Sequence, residues 1–149
     1  MRLVIQRVKH ARVSVEGRAV GEIAGGVLVL VGVAKGDSAA AAAQLAEKTA
    51  QLRIFNDAQG KMNLSLLEAG GAALVVSQFT LYADVRRGRR PGFERAAAPQ
   101  EADALYQEYV RCLEAQGVSV KTGVFRSHME VELANDGPVT ILVDSDKEF

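Results

Sequence analysis

Apolar and polar positions alternate along the first 17 residues in two strand-like segments, "RLVIQRV" and "ARVSVEG". In the second, Ala11, Val13 and Val15 sit between polar neighbours, as on a half-buried strand. Glu16-Gly17-Arg18 reads as a turn. Residues 26–34, "GVLVLVGVA", form an unbroken apolar run, the pattern of a central strand covered on both faces. The period then changes. Asp37-Ser38 offers an N-cap, and Leu45, Thr49 and Leu52 share one face, which predicts a helix over 38–53 lying on the sheet. "RIFNDAQGKMN" reads as a short strand followed by a turn, and "AALVVSQFTLYAD" (72–84) as a second strong β run. Pro99 suits the first turn of a second helix, whose stripe is Ala102, Leu105, Tyr106, Tyr109 and Leu113 and whose end is marked by Gly117. "VSVKTGVF", "MEVELA" and "VTILVDS" close the chain as three strand-like segments. The order predicts an α+β fold with two helices on a mixed β-sheet, not regular βαβ winding.

Between the last two segments stands "NDGPVT" (135–140). Asn-Asp-Gly predicts a hairpin turn at this point. Pro138 then either ends that turn or joins Gly137 in a backbone stretch that comes close to a ligand.

Composition narrows the class. A chain of 149 residues with 48% apolar content predicts one domain, 1–149, of a size that buries roughly 70% of its unfolded surface. The longest apolar run is far short of the ~20 residues a spanning helix needs, and it lies too far in for a signal peptide. Cys112 is the only cysteine, which excludes an intrachain disulfide and fits a reducing, cytoplasmic location. Eighteen basic residues balance eighteen acidic ones, so no global field draws the chain to nucleic acid, and DNA is not an expected partner. The local distribution is less even. "ADVRRGRRPGFER" (83–95) gathers Arg86, Arg87, Arg89, Arg90 and Arg95. Arginine forks match phosphate oxygens, so this is a phosphate-binding loop or a solvated loop with carboxylate partners.

Most familiar catalytic constellations are missing. His10 and His128 are the only histidines, and no CxxC, GxSxG, P-loop or GxGxxG occurs. Cys112 falls near the apolar stripe of the second helix, which makes a packed thiol the reading, not a Cys112–His128 dyad. No metal or cofactor is expected. Ser77, Gln78 and Thr80 lie where a buried strand turns polar just before the arginine loop, the position of a site rim or of hydroxyls satisfying a turn.

At "SQFTL" (77–81) and "NDGPVT" the chain resembles the D-aminoacyl-tRNA deacylases (D-tyrosyl-tRNA deacylases), marked by SQxTL-type and NxGPxT motifs. "MRLVIQRV", "LRIF", "GKMN", "VVSQFTLYAD" and "RRPGFERAA" extend the likeness over nearly the whole length. The resemblance implies a barrel-like mixed sheet with two helices on one side. It implies a metal-independent hydrolase that cleaves the ester between a D-amino acid and the terminal adenosine of tRNA. It also implies a homodimer with active sites at the interface. There Gly137 and Pro138, joined by a cis peptide bond, would enter the partner's pocket, reject L-amino acids and leave glycyl-tRNA as an additional substrate. Ser77, Gln78, Phe79 and Thr80 would line the opposite wall, with Ala102, Phe125 and Met129 near the adenosine or aminoacyl group. Arg86, Arg87, Arg89 and Arg90 would reach tRNA phosphates. For the hydrolytic step, backbone N–H groups near Gln78 and Phe79, with the ribose 2′-hydroxyl, are preferred to a Thr80 nucleophile that lacks a base.

One departure stands out. After "TGVF" the family usually reads close to Gly-Ala-Asp-Met, whereas this chain has Arg126-Ser127-His128-Met129. An arginine there narrows the adenosine pocket, adds a phosphate contact, or points to solvent. Two other functions are weighed: a non-catalytic tRNA-binding dimer that retains the fold, and an editing module within a synthetase complex.

Overall fold

The computed structural model describes all of residues 1–149. Its strands are β1 (Arg2–Val15), β2 (Arg18–Ile23), β3 (Gly26–Gly32), β4 (Phe55–Asn56), β5 (Met62–Leu64), β6 (Ala72–Ser77), β7 (Val120–Thr122) and β8 (Glu130–Asp144). Its helices are α1 (Ala39–Gln51) and α2 (Pro99–Ala115), and Phe79–Tyr82 form one 3₁₀ turn. Ser38 caps α1 by accepting a hydrogen bond from the Ala41 N–H, and Pro99 opens α2, as their positions predict.

The main sheet runs β2-β1-β3-β6-β7, with β8 on the other edge of β1, and β4-β5 form a separate pair. β1 is long enough to pair twice on one side. Its first half is antiparallel to β3 and its second half to β2, while β8 follows it almost throughout. The sheet therefore curls into a nearly closed barrel. Both helices pack on one face, where Leu45 and Ala46 of α1 and Tyr109 and Leu113 of α2 meet Leu3, Ile5, Val29 and Val75. A second cluster, including Val8, Val13, Leu28 and Leu74, fills the other face. Thr49 and Tyr109 share a buried hydroxyl contact of 2.9 Å that ties the helices together.

Three expectations need correction. "RLVIQRV" and "ARVSVEG" are one strand, because no turn residue separates them; the alternation changes phase at Arg7-Val8, so Leu3 and Ile5 face one core cluster and Val8, Ala11 and Val13 the other. β2 was hidden in the short, mostly exposed segment after Gly17. Two parallel pairs, β3 to β6 through α1 and β6 to β7 through α2, stand beside the antiparallel β1, β2, β3 and β8, so the sheet is mixed as expected. Finally, "NDGPVT" is no hairpin. The chain continues in the same direction as β8, and the ladder with β1 slips from Val8↔Asn135 to Gln6↔Thr140. Residues 136–139 thus bulge outward opposite Arg7 alone.

Candidate active site

The β run predicted over 72–84 stops at Ser77, where the Gln78 N–H donates to the Val31 carbonyl at 2.7 Å and the chain turns into the 3₁₀ segment. Gly32 makes this possible. A Cβ there would stand 2.9 Å from Leu81 Cβ and 3.1 Å from the Gln78 carbonyl oxygen, so only glycine lets the turn lie against β3. α2 is fixed beside it by the buried Tyr106 hydroxyl, which donates to the Val75 carbonyl at 2.8 Å. Burial raises the pKa of that phenol well above its usual value, keeping it a donor.

Between these elements lies a cavity of about 430 Å³. Ser77, Gln78, Phe79, Ala102 and Phe125 all line it, together with Val31, Tyr106 and Phe93. The wall is mainly apolar, with its polar groups at the β6 end. The N–H groups of Phe79 and Thr80, first in the 3₁₀ turn, make no hydrogen bond within the chain. That narrows the expected oxyanion donors to Phe79 and Thr80, since the Gln78 N–H is spent on Val31.

Two expected wall residues are elsewhere. Thr80 is exposed, outside the cavity lining, and its hydroxyl accepts from the Gln78 side-chain amide. Met129 packs with Val131 and Leu133 against the second core cluster, its sulfur against Gly123. Phe125 packs instead against the first core cluster. Arg126, by contrast, lines the cavity rim with φ 64°, a left-handed conformation in which a non-glycine residue is unusual, and it has no ion-pair partner.

The arginine loop is pinned at its base by two backbone hydrogen bonds between Asp84 and Gly92, 2.8 and 2.9 Å long. It bounds a second cleft, of about 560 Å³, lined by Asp84, Arg86, Arg87, Arg90, Gly92 and Glu94. Arg89 is exposed but not part of that lining. Arg86 grips both oxygens of Asp84 at 2.9 and 2.5 Å and, through side-chain and backbone hydrogen bonds, holds that carboxyl well below the usual carboxylate range. Arg95 makes a fork–fork pair with Glu148. Arg87, Arg89 and Arg90 have no carboxylate partner. The cluster thus divides: Arg86 and Arg95 are paired with carboxylates, and the other three are free.

The Gly137–Pro138 bulge is exposed, and its peptide bond is cis. It is held from behind. Asn135 accepts the Val139 N–H at 2.7 Å and donates to the Val139 carbonyl at 3.3 Å, closing the bulge at its neck. Arg7, only 7% exposed, donates to the Asp136 carbonyl at 2.8 Å and to the Ile54 carbonyl at 2.5 Å. Gly137 has φ 144°, and a Cβ there would lie 2.7 Å from Val139 Cγ2 and 3.2 Å from Arg7 Nη2. Sequence reasoning missed Arg7, because an arginine in an alternating strand reads as a solvent-facing residue. No residue of the bulge lines the cavity of its own chain. Arg7 pairs with Val27, whereas the cavity wall is Val31, which pairs with Leu3. Four residues along the ladder, about 13 Å, separate them.

The family model described as D-Tyr-tRNA(Tyr) deacylase matches residues 4–144. A D-aminoacyl-tRNA deacylase of Symbiobacterium thermophilum is 62% identical, aligned over 100% of this chain and 99% of the relative. Among solved structures, the c-Myc DNA Unwinding Element Binding Protein is 34% identical with a TM-score of 0.90, covering 97% of this chain and 98% of that one. A structure described as that of a probable eukaryotic D-amino acid tRNA deacylase shares the fold at a TM-score of 0.81 and 20% identity, covering 95% of this chain and 97% of that one.

Proposed function

The chain belongs to the D-Tyr-tRNA(Tyr) deacylase family, and from that membership we propose that residues 1–149 act as a single domain hydrolysing the ester bond of D-aminoacyl-tRNA in the cytoplasm. The observation that carries the mechanism is the unspent Phe79 N–H at the polar end of an otherwise apolar cavity. With the ester carbonyl oxygen placed there, the N–H stabilises the charge that develops as water adds to the carbonyl carbon. A donor of this kind contributes on the order of 10²–10³ in rate. The ribose 2′-hydroxyl orients the water. The ester C–O bond then breaks, and the departing ribose oxygen takes up a proton to leave free tRNA and amino acid. Phe125 and Ala102 supply the apolar wall for the adenosine.

The bulge completes the site in a second copy of the chain. Its exposure and its distance from the cavity of its own chain support a homodimer in which Gly137 and Pro138 close the partner's cavity. Their carbonyls hold the substrate's α-ammonium by charge-assisted hydrogen bonds. An L side chain then points into backbone, a D side chain points away, and glycine passes the filter. The test is hydrolysis of paired D- and L-tyrosyl-tRNA, and of glycyl-tRNA, without added metal. Cleavage of D-tyrosyl-tRNA and glycyl-tRNA with sparing of L-tyrosyl-tRNA is expected. Equal cleavage of the D and L substrates, or of neither, sinks the reading.

Thr80 has only the Gln78 amide as a side-chain partner and no base beside it. Thr80→Val is therefore expected to deacylate D-tyrosyl-tRNA within about threefold of the parent, well inside the loss that removal of a nucleophile produces. Complete loss would make the hydroxyl the nucleophile.

The free arginines carry the tRNA contact. Rates should fall as salt rises, and Arg87→Ala and Arg90→Ala should each reduce the slope of log kcat/KM against log salt by about 0.7–0.9. Arg86→Ala should change it less, because Asp84 already holds that guanidinium. A salt-insensitive KM counts against phosphate binding by this loop.

A further inference from the structure

Phe79 is 57% exposed, and its ring meets that of Phe93 edge-on, centroids 5.0 Å apart at 63°. A single exposed phenylalanine needs no explanation. This one is paired with a second aromatic from a separate segment, and both line the apolar cavity. Moreover, the residues on either side of Phe93, Gly92 and Glu94, line the arginine cleft. The short segment 92–94 is thus the common wall of an apolar chamber and a cationic one, with the aromatic pair at the junction.

That arrangement has a chemical match. A single-stranded nucleic-acid end presents unstacked base faces joined by phosphates, and proteins hold such ends on aromatic rings beside a basic groove. If the terminal adenosine occupies the cavity, the next nucleotide of the strand must leave between the cavity and the cleft, past Phe79 and Phe93. We propose that these two rings form a stacking subsite for the nucleotide immediately 5′ to the aminoacylated adenosine, with its phosphate facing Arg87 and Arg90. The proposal rests on the deacylase reading above and extends it by one residue of the substrate.

The experiment compares two small esters, D-tyrosyl-adenosine and D-tyrosyl-cytidylyl-adenosine, which differ by that one nucleotide. The parent enzyme is expected to prefer the dinucleotide in kcat/KM by roughly 5- to 150-fold, the range of one base–aromatic stack. Phe93→Leu, which keeps apolar bulk without a π face, should reduce that ratio towards one, and Phe93→Tyr should retain it. Equal rates on both esters by the parent overturn the proposal, as does a preference that survives in Phe93→Leu. If Phe93→Leu instead shifts the oligomeric state and leaves the ratio intact, the pair is a subunit contact and the subsite is excluded. Failure of the parent on both esters and on D-tyrosyl-tRNA removes the deacylase reading itself, and this proposal with it.

Discussion

Arg7→Met is expected to lower unfolding stability by about 3 kcal/mol, since it strips donors from two carbonyls and each unpaired buried group costs about 1–3 kcal/mol. For a chain of this size that corresponds to a fall of roughly 6–12 °C in Tm. Removing the buried charge offsets part of the loss, which is why methionine, with similar length and no charge, is the informative replacement. The guanidinium joins the Asp136 carbonyl in the bulge to the Ile54 carbonyl behind it, and its Nη1 also reaches the Asn56 side chain at 3.4 Å. Its ion pair with Asp136, at 3.6 Å to a carboxylate that is 44% exposed, adds little. Without it the bulge is held only at its neck by Asn135. L-rejection should therefore weaken while D-tyrosyl-tRNA hydrolysis stays within a few-fold of the parent, and this should hold at temperatures where the fold survives. Arg7→Lys should recover part of the stability, because an ammonium serves one carbonyl well but cannot fork between two. Thermal unfolding and the paired assay read both effects. An unchanged Tm would show that the carbonyls find water and that Arg7 is not the clamp.

Much of this architecture was legible in the sequence, for physical reasons that differ by element. α1 and α2 were visible because a capping serine, an N1 proline and a one-sided apolar stripe all agree. The unbroken run 26–34 identified the central strand, which is covered on both faces. The pairing of strands was not visible, because alternation shows which face is buried but not which neighbour lies alongside. β2 was missed for a related reason: Arg18, Ala19 and Val20 are exposed, so no apolar period marks them. The "NDGPVT" segment misled because its turn chemistry is real. Asn135 does close a tight loop, from its side chain to Val139, but the strand resumes its direction on the far side. Ser77, Gln78, Phe79, Ala102 and Phe125 were placed by resemblance, and the fold brings them to one cavity. Thr80 and Met129 lie outside the lining of that cavity in the single chain.

Pro138→Ala should convert a selective site into a permissive one. No residue of the bulge lines the cavity of its own chain, so the 3₁₀ turn and its free N–H groups persist in the variant. Hydrolysis of D-tyrosyl-tRNA should stay within a few-fold of the parent, the modest effect expected of a residue outside the reacting groups. L-tyrosyl-tRNA differs in the proposed site, where the wall that would meet its side chain is the Gly137–Pro138 backbone and the proline ring. Alanine replaces that ring with a methyl group and frees the φ angle that proline fixes. The wall then recedes or moves, and hydrolysis of the L substrate should rise by about 10–100-fold, comparable to relaxing a pocket by one or two methylene groups. Gly137→Ala approaches the same result from the opposite direction. Its Cβ must displace Val139, and at φ 144° it is strained wherever it settles. Both variants should therefore lose the D-over-L ratio more than they lose D activity. Parallel loss of both activities would instead place the bulge among the groups that perform the hydrolysis, and the division between a chemical wall and a chiral wall would fall.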